Sequence, residues 1–402
     1  MVNVIGLGYI GLPTALMLAS HGVDVVGTDY NAELVKTLNS GRTTFQEKGL
    51  DALFQQAVAD GIVFTTEYQA TDTYIVSVPT PYDSDTKLVD MQFVVNAVKS
   101  VLDVCLDNAL IIIESTVSPG SIDHCIRPLV DSCPRSVRLA HAPERIIPGN
   151  MVYELIHNNR TVGADSPDTA AAVKTLYSTF CEGEIVLTDI KTAEMTKVVE
   201  NTYRAVNIAF ANELAKICRK DGLDVYEIIR ICNMHPRVNV LTPGPGVGGH
   251  CISVDPWFLV GDFPKETMLI NAAMQTNAAM PQYVYRRIET IAAEKGITDF
   301  SRIGLYGLTY KENVDDIRES PTLQLLDWNR QQRQYPFRVY DPYINKDLVS
   351  GQHHSLQEFL SKVDMVVVMV GHHEIKEKET TLVNKVVLDC RNVITLPDAY
   401  HL

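Results

Sequence analysis

The sequence contains no apolar run of about 18 residues, which is the length that a membrane-spanning helix needs. It also has no basic segment followed by an apolar one at its start, because the first residues lead directly into a predicted strand. These absences predict a chain that neither spans a membrane nor carries a secretion signal. We therefore expect a cytoplasmic protein.

Paired cysteines are missing as well. The eight cysteines are scattered, with no C-x-x-C pair and no Cys/His spacing typical of a zinc site. In a long chain without a secretion signal, such cysteines are expected to be reduced thiols. The sequence therefore predicts no metal site.

Basic residues are too few for a nucleic-acid partner. With 35 Lys and Arg against 49 Asp and Glu, the formal net charge is −14, whereas binding to a phosphate backbone requires a basic surface. This charge does not exclude a small phosphorylated ligand, which needs only a local cluster of positive groups.

The N-terminal part has the pattern of a dinucleotide-binding domain. Short apolar runs alternate with helical patterns, which is typical of a parallel sheet. The turn Gly6-Leu7-Gly8-Tyr9-Ile10-Gly11 follows the first predicted strand and opens a helix, and Asp29 ends the next strand. In that context the glycines admit a pyrophosphate and the acid binds the ribose hydroxyls. The acidic residue at position 29 favours NAD over NADP.

At 402 residues the chain is too long for one ordinary core. A predicted helix over residues 192–220 places Lys197, Asn201 and Arg204 on one face, and an α/β pattern without a second G-x-G-x-x-G follows. The predicted fold class is α/β, with two Rossmann-like doubly wound domains joined by a central helical domain that we expect to form a homodimer. The predicted limits are 1–189 for the NAD-binding domain, 190–296 for the helical domain and 297–402 for the second Rossmann-like domain.

One cysteine ends a loop that is more than half glycine and proline. The run from Thr242 to Cys251 reads T-P-G-P-G-V-G-G-H-C, and Asp255 follows it. Glycine allows a close backbone approach to a ligand, and proline stiffens the chain between such approaches. A single cysteine is usually a small buried hydrophobic residue, but this setting beside His250 indicates a nucleophile.

Four segments together resemble the nucleotide-sugar 6-dehydrogenase family. They are the G-L-G-Y-I-G-L-P start, the Lys197-x-x-x-Asn201 pair, the G-P-G-V-G-G-H-C-I loop and the segment from Lys311 to Arg318-Glu319-Ser320. The match keeps the order of the motifs and covers essentially the whole chain. Within the family, Pro143–Gly149 and His235–Asn239 are most similar to the members that oxidise UDP-N-acetyl-D-mannosamine.

The resemblance implies oxidation of the C6 alcohol of a UDP-sugar to the carboxylate, with two NAD⁺ consumed. It implies that Lys197 is the base of the first oxidation and that Asn201 and Asp255 arrange the oxyanion and an ordered water. The aldehyde is then attacked by Cys251, and the resulting thiohemiacetal is oxidised to a thioester. Glu144 assists hydrolysis of that thioester.

The resemblance also implies the binding residues. The cofactor positions are Gly6, Gly8, Tyr9, Ile10, Gly11, Asp29, Thr80 and Thr116, the last of which also contacts water and belongs to the catalytic set. The positions for the UDP-sugar and its closing loop are Arg145, Ile146, Lys197, Asn201, Arg204, His235, Arg237, Gly248, Tyr310, Lys311 and Arg318. Arginine and lysine are suited to a diphosphate.

One position departs from the glucose type of the family. UDP-glucose dehydrogenases often have a second glutamate four residues after the one that matches Glu144, and this chain has Pro148 there. The substrate loop is therefore not of the glucose type. The hydrolysis step also lacks one of its two expected carboxylates.

Two other interpretations fit parts of the sequence. A β-hydroxyacid dehydrogenase would share the N-terminal domain and the Lys-x-x-x-Asn pair, but it needs neither Cys251 nor residues 300–402. A catalytically silent NAD or UDP-sugar sensor leaves the joint presence of Lys197, Cys251 and Asp255 unexplained. UDP-N-acetylglucosamine, UDP-N-acetylgalactosamine and UDP-glucose stay open as substrates, because the sequence does not display the shape of a pocket.

Overall fold

The computed structural model describes residues 1–249 and 251–402, so His250 lies outside the described residues. The described chain forms two compact units, Met1–Glu200 and Asn201–Leu402. The long helix at the middle of the chain runs through the limit between them.

The first unit is built on a mainly parallel sheet. Its strands are β1 (Val2–Ile5), β2 (Val25–Thr28), β3 (Val63–Thr65), β4 (Thr73–Val76), β5 (Ala109–Ile113), β6 (Val137–His141), β7 (Arg160–Ala164) and β8 (Ile185–Thr188). Their order across the sheet is β3-β2-β1-β4-β5-β6-β7-β8. Only the β6–β7 pair among them is antiparallel. The order of the first six strands is that of a dinucleotide-binding fold.

Helices cover both faces of this sheet. They are α1 (Gly11–Ser20), α2 (Ala32–Asn39), α3 (Leu50–Ala59), α4 (Gln92–Val104), α5 (Arg127–Asp131), α6 (Met151–His157) and α7 (Pro167–Tyr177), with a π-helical turn at Ile122–Ile126 and α8 (Ile190–Asp221) after β8. The central strands β1 and β5 are buried along their whole length. Burial on both faces explains why these strands read as continuous apolar runs instead of alternating patterns.

The second unit carries a parallel sheet of its own. Its strands are β9 (Ile303–Tyr306), β10 (Arg338–Tyr340), β11 (Gln352–His353), β12 (Met365–Val368), β13 (Val386–Asp389) and β14 (Tyr400–His401), in the order β11-β10-β9-β12-β13-β14. Its helices are α9 (Val225–Cys232), α10 (Asp255–Asp262), α11 (Met268–Ala278), α12 (Met280–Glu294), α13 (Pro321–Gln332), α14 (Leu356–Lys362) and α15 (His373–Glu377), with short 3₁₀ turns at Phe300–Arg302 and Glu379–Leu382.

The two sheets and the long α8 confirm the predicted fold class. After α8, the helices of the second unit include α9 and the pair α11 and α12, which adjoin just before Pro281. Proline stands in the first turn of α12, where its missing N–H costs nothing. Across the described residues, no helix is both long and apolar enough to cross a membrane.

Candidate active site

The glycine-rich turn after β1 contains three glycines with different roles. A side chain at Gly6 would collide with the carbonyl oxygen of Ser77, and one at Gly11 would collide with the carbonyl oxygen of Gly6. A Cβ on Gly8, by contrast, would have nothing within 4 Å. Gly6 and Gly11 therefore close the turn against the sheet. Gly8 leaves an open cradle that fits a pyrophosphate.

Asp29 directly follows β2, and its side chain is held by backbone donors. Its Oδ2 accepts a hydrogen bond from the N–H of Leu7 at 2.8 Å, and its Oδ1 accepts one from the N–H of Asn31, also at 2.8 Å. The acid is thereby fixed at the edge of the sheet where the ribose of a dinucleotide binds in such folds.

The other residues predicted for the cofactor lie at the same edge. Ile10 is the N-cap residue of α1, whose first turn has no capping side chain and no acid. The ring of Tyr9 stacks on Phe45 with 4.3 Å between centroids. Thr80 and Thr116 follow β4 and β5, and Thr80 Oγ1 donates to the carbonyl of Thr116 at 2.7 Å. These residues meet at the carboxyl ends of parallel strands, where α/β sheets bind ligands.

Glu144 follows β6 and is buried against a cation. Its Oε2 lies 2.6 Å from Nη2 of Arg160 on β7, although these two atoms lack hydrogen-bond alignment. Its Oε1 accepts a hydrogen bond from the N–H of Arg145 at 2.6 Å. Burial would lower the pKa of Arg160, but the surrounding acidic groups, Glu144 foremost, together keep that pKa above its usual range. Arg160 is therefore a permanent positive charge beside Glu144.

Two residues predicted to bind the UDP-sugar are engaged within the first unit. The guanidinium of Arg145 pairs with Glu200 at 2.8 Å and donates to Thr161 Oγ1 at 2.7 Å. The side chain of Ile146 is buried in the hydrophobic core of this unit. A ligand that binds the guanidinium of Arg145 would thus do so beside the ion pair with Glu200, and it would contact Ile146 only through the backbone of that residue.

The polar face predicted for α8 is buried. Lys197 and Asn201 are 5% and 0% exposed, so these two side chains do not belong to a solvated helix face. In the second unit, Asn201 Nδ2 donates to Asp255 Oδ2 at 2.5 Å, and Arg204 donates to Asn201 Oδ1. Asp255 begins α10, and its N–H donates to the carbonyl of Cys251 at 2.8 Å. The structure thus brings Asn201, Arg204, Asp255 and Cys251 together.

Cys251 is exposed, and the glycines before it are packed against protein. A Cβ on Gly248 would lie 2.5 Å from Tyr310 Cβ and 2.6 Å from the carbonyl oxygen of Glu319. A Cβ on Gly249, whose φ is +83°, would lie 2.7 Å from the ring of Tyr310. The N–H of Gly249 donates to the carbonyl of Arg318 at 2.9 Å. These two glycines are therefore explained by close contact with the 310–319 segment.

The 310–319 segment is organised by a buried acid. Asp316 pairs with Arg318 at 2.6 Å, and its carbonyl accepts the N–H of Tyr310 at 3.0 Å. The carbonyl of Lys311 accepts a hydrogen bond from Thr309 Oγ1 at 2.9 Å. The predicted phosphate-binding residues Lys311 and Arg318 thus lie in one ordered loop after β9, at the carboxyl edge of the second sheet.

His235 and Arg237 are exposed in the loop after α9. The N–H of Arg237 donates to His235 Nδ1 at 3.3 Å. Arg237 also lines a largely apolar groove of about 460 Å³ together with Tyr203 and Phe210 of α8.

The second sheet repeats the acid at the end of its second strand but uses it differently. Asp341 Oδ2 accepts the N–H groups of Leu308 and Thr309 at 2.6 and 3.0 Å, and it lies 3.2 Å from Nε2 of the buried His372. Burial would raise the pKa of Asp341, but the hydrogen bond and charge of His372 hold it below its usual range. Asp29 is held by backbone donors, whereas Asp341 also lies beside a histidine side chain.

Several side chains around Glu144 have no local sequence signal. Arg160 is a lone arginine that begins an apolar strand, and Tyr177 is the last residue of an ordinary amphipathic helix. Glu114 stands in the run that contains Thr116, but nothing in that run indicates that it would be buried near Glu144. Within the described ranges, no group of three His, Cys, Asp or Glu residues is arranged to hold a metal ion.

Comparisons with known proteins agree along the whole chain. Models of the UDP-glucose/GDP-mannose dehydrogenase family match in order: its NAD-binding domain at residues 1–181, its central domain at 191–279 and its UDP-binding domain at 304–396.

Individual proteins are similar over nearly their full length. The UDP-N-acetyl-D-mannosamine dehydrogenase of Methanococcus vannielii is 40% identical, covering 98% of this chain and 93% of that protein. The NDP-N-acetyl-D-galactosaminuronic acid dehydrogenase of Ralstonia nicotianae is 39% identical, covering 98% and 96%. The solved structure of the UDP-N-acetyl-mannosamine dehydrogenase from Staphylococcus aureus matches with a TM-score of 0.89 at 37% identity, covering 100% and 97%.

Proposed function

Because the chain belongs to the UDP-glucose/GDP-mannose dehydrogenase family, and is thus an NAD-dependent nucleotide-sugar dehydrogenase, we propose that it oxidises UDP-N-acetyl-D-mannosamine at C6 to the carboxylate. Family membership confirms both the resemblance and the NAD cofactor expected from the sequence. The relatives named for this sugar, at 40% and 37% identity, support the substrate. The observation that carries the proposed chemistry is the buried Asn201–Asp255 pair hydrogen-bonded to the backbone of exposed Cys251.

NAD⁺ supplies the hydride acceptor for both oxidations, and the residues of this chain handle the protons and the carbon. In the first oxidation, Lys197 takes the proton of the C6 hydroxyl as the hydride leaves, which yields the aldehyde. Asn201 and Arg204 place donors near the developing oxygen charge, and Asp255 fixes the orientation of the Asn201 amide.

In the second oxidation, Cys251 holds the substrate. Its thiolate adds to the aldehyde carbon, and the oxygen takes up a proton to give a thiohemiacetal. Loss of that proton and of a second hydride leaves a thioester. Water then cleaves the carbon–sulfur bond, which releases the carboxylate and the Cys251 thiol. Glu144, paired with Arg160, assists this hydrolysis as the base toward water.

The sugar is tested by assaying four substrates side by side with NAD⁺: UDP-N-acetyl-D-mannosamine, UDP-N-acetylglucosamine, UDP-N-acetylgalactosamine and UDP-glucose. We expect the highest kcat/KM for the first and two NADH per uronic acid formed. A higher kcat/KM for another of the four sugars would contradict the proposed substrate. A ratio of one NADH with an oxo product would favour β-hydroxyacid chemistry, and binding without turnover would favour a sensor.

The covalent step is tested with Cys251→Ser. We expect this variant to bind NAD⁺ normally and to lose most acid formation, because a serine hydroxyl is not a comparable nucleophile at neutral pH. Cys232, the other exposed cysteine, gives the matched control Cys232→Ser, which should retain wild-type activity. Full acid formation by Cys251→Ser would refute covalent catalysis.

A homodimer completes the proposal. Three large apolar side chains recur every seven residues along α8 and are more than half exposed, namely Tyr203 at 62%, Phe210 at 51% and Ile217 at 57%. Such an exposed apolar stripe favours a helix–helix interface. The cytoplasmic location and the division at 1–189, 190–296 and 297–402 stay predictions.

A further inference from the structure

A second carboxyl group lies deep in the first unit near Glu144, and the proposed mechanism does not use it. Glu114 directly follows β5 and is 1% exposed. Its Oε1 accepts hydrogen bonds from Thr14 Oγ1 of α1 at 3.2 Å and from the hydroxyl of Tyr177 at 3.1 Å. Its Oε2 is buried and has no hydrogen-bond partner among the described residues.

Tyr177 connects this carboxyl to the Glu144–Arg160 pair. Its hydroxyl donates to Glu114, and its ring face lies 4.6 Å from the guanidinium carbon of Arg160. Arg160 in turn forms an ion pair with Glu144, with 2.6 Å between Nη2 of Arg160 and Oε2 of Glu144. One aromatic side chain thus touches Glu114 through its hydroxyl and the partner of Glu144 through its ring.

The charges in this buried cluster do not balance if both carboxyls are ionised. Four groups face Glu114. Two are hydroxyl groups, of Thr14 from α1 and of Tyr177 from α7, and the other two are the ionisable side chains of Arg160 from β7 and of Glu144 after β6. One arginine can neutralise one carboxylate, and an unpaired buried carboxylate is costly. Burial and the charge of Glu144 accordingly raise the pKa of Glu114 to about 8.

Nearby ionisable groups do not change this balance. His141 on the adjacent β6 bonds the carbonyl of Ile113 at 2.7 Å through Nδ1, and burial lowers its pKa to about 4, so it is neutral at pH 7. A neutral Glu114 leaves the whole charge of Arg160 to Glu144. An ionised Glu114 would compete with Glu144 for that charge.

We propose that Glu114, as a neutral acid, is a positioning residue that holds the Glu144–Arg160 pair through Tyr177 and so sets Glu144 for hydrolysis of the thioester. This inference rests on the proposed function, because it concerns the step assigned to Glu144. Glu114 acts through its neighbours and needs no contact with the substrate.

The decisive variant is Glu114→Gln, which keeps the shape and the neutral state. Hydrolysis of the acyl-enzyme is followed by acid quench and intact-mass spectrometry after mixing with NAD⁺ and UDP-N-acetyl-D-mannosamine. We expect wild-type hydrolysis rates at pH 7. At pH 9 we expect Glu114→Gln to be about tenfold faster than wild type, since a carboxyl with a pKa of about 8 is then mostly ionised. Equal alkaline loss in both proteins, or slow hydrolysis by Glu114→Gln at pH 7, would overturn the inference.

Two further variants separate positioning from mere folding. Tyr177→Phe removes only the connecting hydroxyl, and we expect slower hydrolysis with an unchanged Kd for NAD⁺. In a Glu144→Gln background, Tyr177→Phe should cost nothing more, because the residue acts through Glu144. A further loss in that background, or a weakened Kd for NAD⁺, would refute the inference.

The covalent adduct itself distinguishes the two proposals. If no adduct forms on Cys251 in wild type or Glu144→Gln, the proposed function fails. If the adduct forms and decays equally in wild type, Glu114→Gln and Tyr177→Phe at every pH, only the role of Glu114 fails.

Discussion

The packing of Gly249 against Tyr310 predicts that Gly249→Ala destabilises the loop and that Tyr310→Ala relieves part of this loss. In Gly249→Ala the new Cβ would lie 2.7, 3.0 and 3.2 Å from three ring atoms of Tyr310. Overpacking of this kind costs about 1–3 kcal/mol. The left-handed backbone at φ +83° adds about 1–2 kcal/mol for a residue with a side chain. We therefore expect Gly249→Ala to destabilise the loop by about 2–5 kcal/mol.

Tyr310→Ala removes the ring and should remove only the overpacking part. The double variant with Gly249→Ala should recover about 1–3 kcal/mol, leaving the backbone strain. Gly248→Ala is the matched control, because its Cβ would meet Tyr310 Cβ and the carbonyl of Glu319, and neither atom is removed in Tyr310→Ala. The coupling should therefore be large for position 249 and close to zero for position 248.

The assay combines urea unfolding with alkylation of Cys251 by iodoacetamide, read by peptide mass spectrometry. Displacement of the loop in Gly249→Ala should change the alkylation rate of Cys251, and the double variant should shift that rate back toward the wild-type value. Cys232 is also exposed and should react equally in all proteins. If Tyr310→Ala repairs both glycine variants or neither, the assignment of these glycines to packing is refuted.

Two further substitutions test hydrogen bonds in the two units. Asp29→Ala leaves the N–H of Leu7 without its acceptor and should weaken NADH binding by at least about fivefold in a fluorescence titration; an unchanged Kd would contradict the role of the acid. Asn201→Asp places a second buried carboxyl 2.5 Å from Asp255, and like charges raise a carboxyl pKa. Its Tm should therefore fall at pH 8 and recover toward pH 5, whereas a loss that is independent of pH would point to a different cause.

Local sequence patterns were sufficient to recognise those parts of the candidate site that are built from residues close together along the chain. The turn from Gly6 to Gly11 and the acid at Asp29 were recognisable because their spacing matches one strand, one turn and one helix. That Lys197 and Asn201 share one face of α8 was recognisable in the same way, since they are one helical turn apart, but the burial of that face was not. The packing of Gly248 and Gly249 against Tyr310 was not recognisable in this way, because Tyr310 is distant in sequence, and the contact of Gly248 with the substrate stays a prediction.

The carboxyl groups of Glu114 and Glu144 show where such patterns stop. The sequence has Pro148 where a second glutamate was expected, and it indicated only Glu144 for this step. The structure places Glu114, from another strand, within electrostatic reach of Glu144. Strand order decides this proximity, because β5 and β6 are neighbours in the sheet although their sequences are separated by a helix.

Residues close along the chain were enough to identify the NAD-binding turn and to single out Cys251 as a nucleophile, whereas the class of enzyme came from the resemblance of four separated segments to a known family. The tertiary structure decided which charges share a buried space. Arg160, Glu114 and Tyr177 come from β7, the end of β5 and α7, and only packing of these elements brings them to Glu144. Burial then sets their ionisation, because the free energy of a charge depends on its surroundings and not on its place in the sequence.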